Sequence, residues 1–328
     1  MNLPLNVVEN FEAQFANSKV YVAGHRGMVG SAICRQLEKT SANLVCRTRN
    51  ELDLCNQAEV RSFFETERPN LVFLAAAKVG GIHANETYPA EFLYDNLMMA
   101  SNVIEAAHQT KTKRLLFLGS TCIYPKMASQ PLEEDSLLSG PLEATNEAYA
   151  IAKIAGLKLC QFYRQQYGDL FHSAMPTNLY GPEDNYHPEN SHVLPALLQR
   201  IHTATLEQAP NVKIWGSGSP RREFLYVDDL AEACLHLVTL ENPPQIVNVG
   251  TGVDLTIKEL ATKIAAAVGY NGEFEFDSSK PDGTPVKRTD TTRLQSTGWK
   301  SSTTLDDGLK KTFNIYLADA EANALRAR

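Results

Sequence analysis

The chain has 328 residues, 43% apolar and 21% charged, which suits a large buried core or two unequal lobes and excludes overall disorder. A formal net charge of -7, with no run of Lys or Arg, leaves no electrostatic case for a nucleic-acid partner, although a few placed arginines can hold a small anion. The opening MNLPLNVVENFEAQF lacks the pattern of a signal peptide, no apolar stretch approaches the about 18 residues of a membrane span, and the six cysteines show no CxxC pair or disulfide-like framework. A cytoplasmic protein with no membrane partner is expected.

Residues 1–18 read as an N-terminal extension. From Lys19 short apolar runs alternate with longer helical patterns, as in successive βαβ units. Strands are predicted over 19–23, 43–46, 71–75, 114–118 and 171–175, and helices over 28–37, 57–65, 92–108 and 147–167. The fold class expected is α/β: a Rossmann doubly wound parallel sheet over residues 19–180, followed by a smaller C-terminal α/β substrate lobe over 181–328. The boundary is marked by NLYGPEDNYHPENSH, whose Pro, Asn, Gly and His content reads as a long functional loop. The later run IVNVGTG, residues 246–252, reads as a strand returning to the first sheet, so the two lobes should interleave.

The first βα turn carries the cofactor signal. In VYVAGHRGMVGSAICRQL, Gly24, Gly27 and Gly30 follow an apolar strand and open a helix. Glycines there allow a tight turn, close approach of a pyrophosphate to the backbone, and close packing of helix on strand; the helix start offers free N–H groups to the phosphates. At the end of the second strand, where an NAD site carries an acid, the chain reads CRTRNELDL. Arg47 and Arg49 stand in that place, Asp53 comes too late to replace the acid, and Arg26 sits in the glycine turn. Guanidinium groups match a 2′-phosphate, so NADPH/NADP is the expected cofactor. The competing reading is a set of solvated surface arginines.

Tyr149 and Lys153, in YAIAK, are four residues apart and share one face of a helix. A nearby ammonium, with the cofactor, is expected to lower the phenol's pKa, so that the tyrosine exchanges a proton with a carbonyl as hydride arrives. The spacing alone is weak. It gains force from LLFLGSTCIYP, an apolar strand that brings Ser120 or Thr121 to the carboxyl edge of the sheet, where open α/β folds bind ligands.

GHRGMVGSAI, LAAAKVGGI, GSTCIYPK, EAYAIAKIAG, MPTNLYGPEDN, NSHVLPALL, WGSGSPRREFLYVDD and KPDGTP run in order from about Val20 to Trp299. With them the chain resembles the extended short-chain dehydrogenase/reductase family, and within it the enzymes that epimerise carbons 3 and 5 of GDP-4-keto-6-deoxymannose and then reduce carbon 4 to give GDP-L-fucose. The resemblance implies a reductase triad of Ser120, Tyr149 and Lys153, with Cys122 as epimerisation base and His192 as acid. It assigns Arg200, Trp215, Arg222 and Asp282 to a GDP-sugar substrate. It adds Met28, Val29, Leu118, Asn178, Leu179 and His192 to the cofactor contacts, and it implies a homodimer through the helices 92–108 and 147–167.

A lone cysteine is ordinarily a small buried hydrophobe, so it is the family pattern that singles out Cys122. His187 competes with His192, but NSHVLP, not NYHPEN, matches the family's acid. A simple 4-ketoreductase or 4-epimerase would need Tyr149 and Lys153 but no base at Cys122. A dehydratase would carry Asp and Glu where Cys122 and Ile123 stand. A dinucleotide sensor without catalysis would be expected to lose Tyr149 or Lys153, and both are present. No metal ligand set is visible.

Overall fold

The computed structural model describes residues 15–187, 191–279 and 282–327; most of the N-terminal extension lies outside them. The strands in chain order are β1 (Lys19–Ala23), β2 (Asn43–Val45), β3 (Leu71–Leu74), β4 (Arg114–Leu118), β5 (Leu170–Pro176), β6 (Asn178–Tyr180), β7 (Asn211–Trp215), β8 (Arg221–Tyr226), β9 (Ile246–Val249), β10 (Asp254–Thr256), β11 (Glu273–Asp277) and β12 (Val286–Lys287). Six of them form one parallel sheet in the order β2-β1-β3-β4-β5-β9. Strands such as LVFL of β3 are buried along their whole length, as a sheet covered on both faces requires.

Helices cover both faces. Gln57–Glu67, Pro89–Gln109 and Glu147–Tyr167 share one core with Val72, Leu115 and Phe171. Met28–Leu37 and Val227–Thr239 share the other with Val20, Leu116 and Val247. Helix Val227–Thr239 and β9 thus belong to the Rossmann layers although they follow the loop that opens the second lobe. Most elements fall where periodicity puts them, with shifts at the ends. The helix predicted from residue 92 begins at Pro89, because proline at the first helical position has its φ already set and lacks an N–H that would be unpaired there anyway.

The smaller lobe is built around β8, which pairs with β10, β12 and β6, together with a β7–β11 pair. Helices Val193–Leu206, Ile257–Val268 and Leu305–Glu321 close its core around Leu198, Phe224 and Leu260.

β1 connects outward to β2 and then across to β3, so the strand order reverses between β1 and β3. Ligands of open α/β sheets bind beyond the carboxyl ends of the strands at such a reversal. The glycine turn lies there.

Candidate active site

Gly24 has φ +86, and a Cβ on it would sit 2.7 Å from the Ala76 backbone beyond β3. A Cβ on Gly30 would come within 2.2 Å of the Gly24 carbonyl oxygen. Gly27 caps the helix Met28–Leu37, and its N–H donates to the Gly24 carbonyl at 2.9 Å. The turn is therefore as tight as a diphosphate cradle needs. Met28 and Val29 begin the helix and pack partly buried on the core below.

The arginines divide. Arg26 and Arg49 are exposed, and among the described residues neither guanidinium has a hydrogen-bond or ion-pair partner. Arg47 is tied down: it donates to Glu67 at 2.6 Å and to the Cys46 carbonyl at 2.8 Å, and lies over the Phe63 ring. In this structure Glu67 already takes the charge of Arg47, while the guanidinium groups of Arg26 and Arg49 stay open. The glycine cradle with the two unpartnered arginines fits a dinucleotide carrying a 2′-phosphate.

At the carboxyl end of β4, Ser120 caps a short 3₁₀ turn over Thr121–Ile123, and its Oγ accepts from the Cys122 N–H at 3.2 Å. Tyr149 and the Cys122 thiol both lie close enough to this hydroxyl to feel it. Lys153 is 4% exposed. Its ammonium donates to the Leu118 carbonyl at 2.7 Å and lies 5.7 Å from the centre of the Tyr149 ring. Burial pushes the Tyr149 phenol well above its ordinary value, the neighbouring Cys122 adds to this, and only the Ser120 hydroxyl opposes it. Burial also brings Lys153 down to about 7. Among protein groups alone, desolvation is the largest influence on the phenol.

Cys122 behaves oppositely. Burial pushes its thiol up, but the Lys287 ammonium at 3.5 Å and the Ser120 hydroxyl together bring it below the ordinary value. Lys287 was not singled out in the sequence; it follows the KPDGTP segment, and nothing local in the chain marks it. It lies on β12, opposite Arg222 of β8. The segment after it is pinned on two sides. Leu132 N–H donates to the Arg288 carbonyl at 2.7 Å, and the fully buried Glu223 accepts from Thr289 N–H at 2.7 Å and Thr289 Oγ1 at 2.8 Å.

His192 directly precedes helix Val193–Leu206. Surrounding protein, and secondarily Lys287, lower its pKa, although water reaches much of the ring and screens part of that effect. Asn178 donates its side-chain N–H to the Glu223 carbonyl at 2.8 Å, and Leu179 packs on the Rossmann core.

A cleft of about 500 Å³ lies between helix Val193–Leu206 and β7, lined by Ser191, Gln199, Arg200, Lys213 and Trp215. Arg200 donates to the Lys213 carbonyl at 3.0 Å and stands 5.8 Å over the Trp215 ring. Arg222 and Asp282 are not in its lining. Asp282 accepts from Ser217 N–H at 2.9 Å and Ser217 Oγ at 2.6 Å, which holds its carboxyl below the ordinary range. Arg222 donates to the Thr284 carbonyl at 2.6 Å. The two thus fasten the loop after β7 and the segment before β12 around β8.

A family model described as NAD dependent epimerase/dehydratase family matches residues 20–250. The chain is 57% identical over 316 residues to the GDP-L-fucose synthase of Escherichia coli K12, covering 93% of this chain and 98% of that protein. Among solved structures it resembles the GDP-mannoheptose C4 reductase of Campylobacter jejuni with NADP bound, at 38% identity and a TM-score of 0.84, covering 92% of this chain and 98% of the other. It also resembles a GDP-L-fucose synthetase from Naegleria fowleri bound to NADP, at 27% identity and a TM-score of 0.85, covering 93% and 96%.

Proposed function

Since the chain belongs to the NAD dependent epimerase/dehydratase family, we propose that it converts GDP-4-keto-6-deoxymannose to GDP-L-fucose, by epimerisation at carbons 3 and 5 followed by NADPH-dependent reduction at carbon 4. The observation that carries this reading is a cysteine with a lysine ammonium 3.5 Å from its sulfur and its own N–H bonded to the serine of a Ser-Tyr-Lys triad. A simple ketoreductase has no use for that base. NADPH, when bound, supplies the hydride.

The chain's own groups do the rest. Gly24, Gly27 and Gly30 cradle the diphosphate, Arg26 and Arg49 hold the 2′-phosphate, and Met28, Val29, Leu118, Asn178 and Leu179 shape the remainder of the pocket. Arg200 and Trp215 receive the GDP portion of the substrate, with Arg222 and Asp282 fixing the loops beside it. Cys122 takes a proton from the carbon next to the carbonyl, and His192, open to solvent for its own resupply, delivers one to the opposite face. Ser120 orients the carbonyl oxygen. Tyr149, held neutral by burial, still has its proton when reduction requires a donor, and Lys153 beside it supports the anion left behind.

The protein works as a cytoplasmic homodimer. Helices Pro89–Gln109 and Glu147–Tyr167 pack together yet leave Tyr94, Ile151 and Phe162 exposed, at 61%, 43% and 57%, and six free cysteines suit a reducing compartment. No helix among the described residues is long and apolar enough to cross a membrane.

The test is to offer the purified protein GDP-4-keto-6-deoxymannose with NADPH in deuterated water. GDP-L-fucose labelled at carbons 3 and 5 is expected. An unepimerised GDP-6-deoxy sugar without label would reassign the protein as a C4 reductase.

A further inference from the structure

We propose that Lys287 is the fixed counter-ion of Cys122: from β12 its ammonium, 3.5 Å from the sulfur, holds the base as a thiolate and then faces the enolate once the sulfur has taken a proton. The inference rests on the epimerase reading for its chemistry, but not for its electrostatics.

The groups around the sulfur come from four parts of the chain. Ser120 contributes a neutral hydroxyl from the end of β4. Tyr149, on helix Glu147–Tyr167, stays neutral because burial raises its phenol. Lys153, one turn further along that helix, spends its ammonium on the Leu118 carbonyl. His192, before helix Val193–Leu206, has its pKa lowered by the surrounding protein and by Lys287. Among the described residues Lys287 is therefore the cation that reaches Cys122, and an opposite charge within about 4–6 Å favours the ionised form of an acid. It also offsets the burial that would otherwise keep the thiol protonated.

Its position is imposed by long-range pairing. Lys287 is in parallel register with Arg222, and two residues later Thr289 gives both its N–H and its hydroxyl to the buried Glu223 carboxylate. On the other edge Arg288 N–H donates to Gln130 Oε1 at 2.9 Å. A lysine side chain is flexible, but here its backbone has little freedom, so the ammonium is directed and not merely nearby.

The charge accounting agrees. When Cys122 acts, a C–H bond beside the carbonyl breaks, the proton forms an S–H bond, and the electron pair moves onto the carbonyl oxygen. Negative charge passes from sulfur to enolate within the same pocket. A fixed positive charge that serves both ends of this transfer needs no rearrangement during the step. Lys287 thus acts as a fixed charge on both the sulfur and the enolate.

The experiment measures alkylation of Cys122 by iodoacetamide against pH, read on its own peptide by mass spectrometry so that the other five cysteines do not interfere. In the unmodified protein the midpoint is expected below the about 8.5 of a free cysteine. Lys287→Met should raise that midpoint by about one pH unit or more, whereas Lys287→Arg, which keeps the charge, should restore most of the shift. With substrate, Lys287→Met should lose at least about tenfold in deuterium wash-in at pH 7 and recover part of it as pH rises, with the NADPH dissociation constant unchanged. A midpoint at or above 8.5 in the unmodified protein, or one unmoved in a Lys287→Met protein that still binds NADPH, overturns the proposal. Normal thiol titration shifts with no wash-in at all would instead count against the epimerase reading and leave the ion pair standing.

Discussion

Tyr149 and Cys122 both stand beside Ser120, yet their acidities move in opposite directions. Both are desolvated. The tyrosine's lysine is turned toward the Leu118 carbonyl, so burial prevails and the phenol keeps its proton. The cysteine's lysine is 3.5 Å from its sulfur, and there the cation prevails. Burial alone therefore does not say whether a group will act as acid or base; the decision rests on where the nearest charge is aimed. In the proposed reaction the tyrosine would serve as proton donor and the cysteine as proton acceptor, as epimerisation followed by reduction demands.

The sharpest way to break this comparison is to remove the donor alone. Tyr149→Phe should cost reduction about a hundredfold to ten-thousandfold, the usual span for a general acid, while NADPH binding stays close to normal. Deuterium should still enter carbons 3 and 5 of the substrate. Stopped-flow absorbance of NADPH and NMR of the sugar measure the two separately; retained full turnover would mean that another group is the acid.

Removing the acceptor should give the mirror image. Cys122→Ser should slow wash-in by about a hundredfold, since a serine hydroxyl is too weakly acidic to rest as a base. His192→Asn should harm inversion more than exchange, because proton removal survives and redelivery does not. Equal loss of both activities in all three variants would mean that the two sides are not separable.

The two sides also differ in how far they could be read from the chain. Tyr149 and Lys153 lie one turn apart on a helix that the periodicity bounds correctly at 147–167, and Ser120 comes two residues after a strand that is buried along nearly its whole length. Local pattern places such residues, and the family resemblance gives them their roles. The parallel sheet was legible for the same reason, as were the glycines, which only a tight turn explains. Lys287 shows the opposite case. Its importance depends on β12 lying beside β8 and on Glu223 anchoring Thr289, contacts spanning more than sixty residues that no spacing in the sequence reveals. The return of helix Val227–Thr239 to the Rossmann core was hidden likewise, because an amphipathic pattern says which face is buried and not against what.

The same principle, that a charge counts where it is aimed, orders the cofactor arginines. Arg49 is exposed with no protein partner among the described residues, so it remains available to a 2′-phosphate. Arg49→Ala should reduce the preference for NADPH over NADH about tenfold, the worth of one charge-assisted contact of roughly 1.5–3 kcal/mol at its lower end. Ratios of kcat/KM for the two cofactors measure it. An unmodified protein that uses both equally well would remove the basis for the assignment.

Arg47 should show the smallest effect, although it stands only two residues away and carries the same charge. Its guanidinium is bound to Glu67 at 2.6 Å and to the Cys46 carbonyl at 2.8 Å, and a new anion would have to compete with that carboxylate. Arg47→Ala should therefore change the NADPH preference by no more than about twofold, well under the tenfold that 1.4 kcal/mol represents. The loss should fall on stability instead, and lightly: a partly exposed ion pair contributes about 1 kcal/mol or less, and Lys19, 3.2 Å from the same carboxylate, remains to pair with Glu67. Thermal unfolding and the cofactor ratio, measured together on the one variant, distinguish the roles. A tenfold fall in NADPH preference with unchanged stability would mean that Arg47 leaves Glu67 to meet the phosphate, and the division drawn between the two arginines would fail.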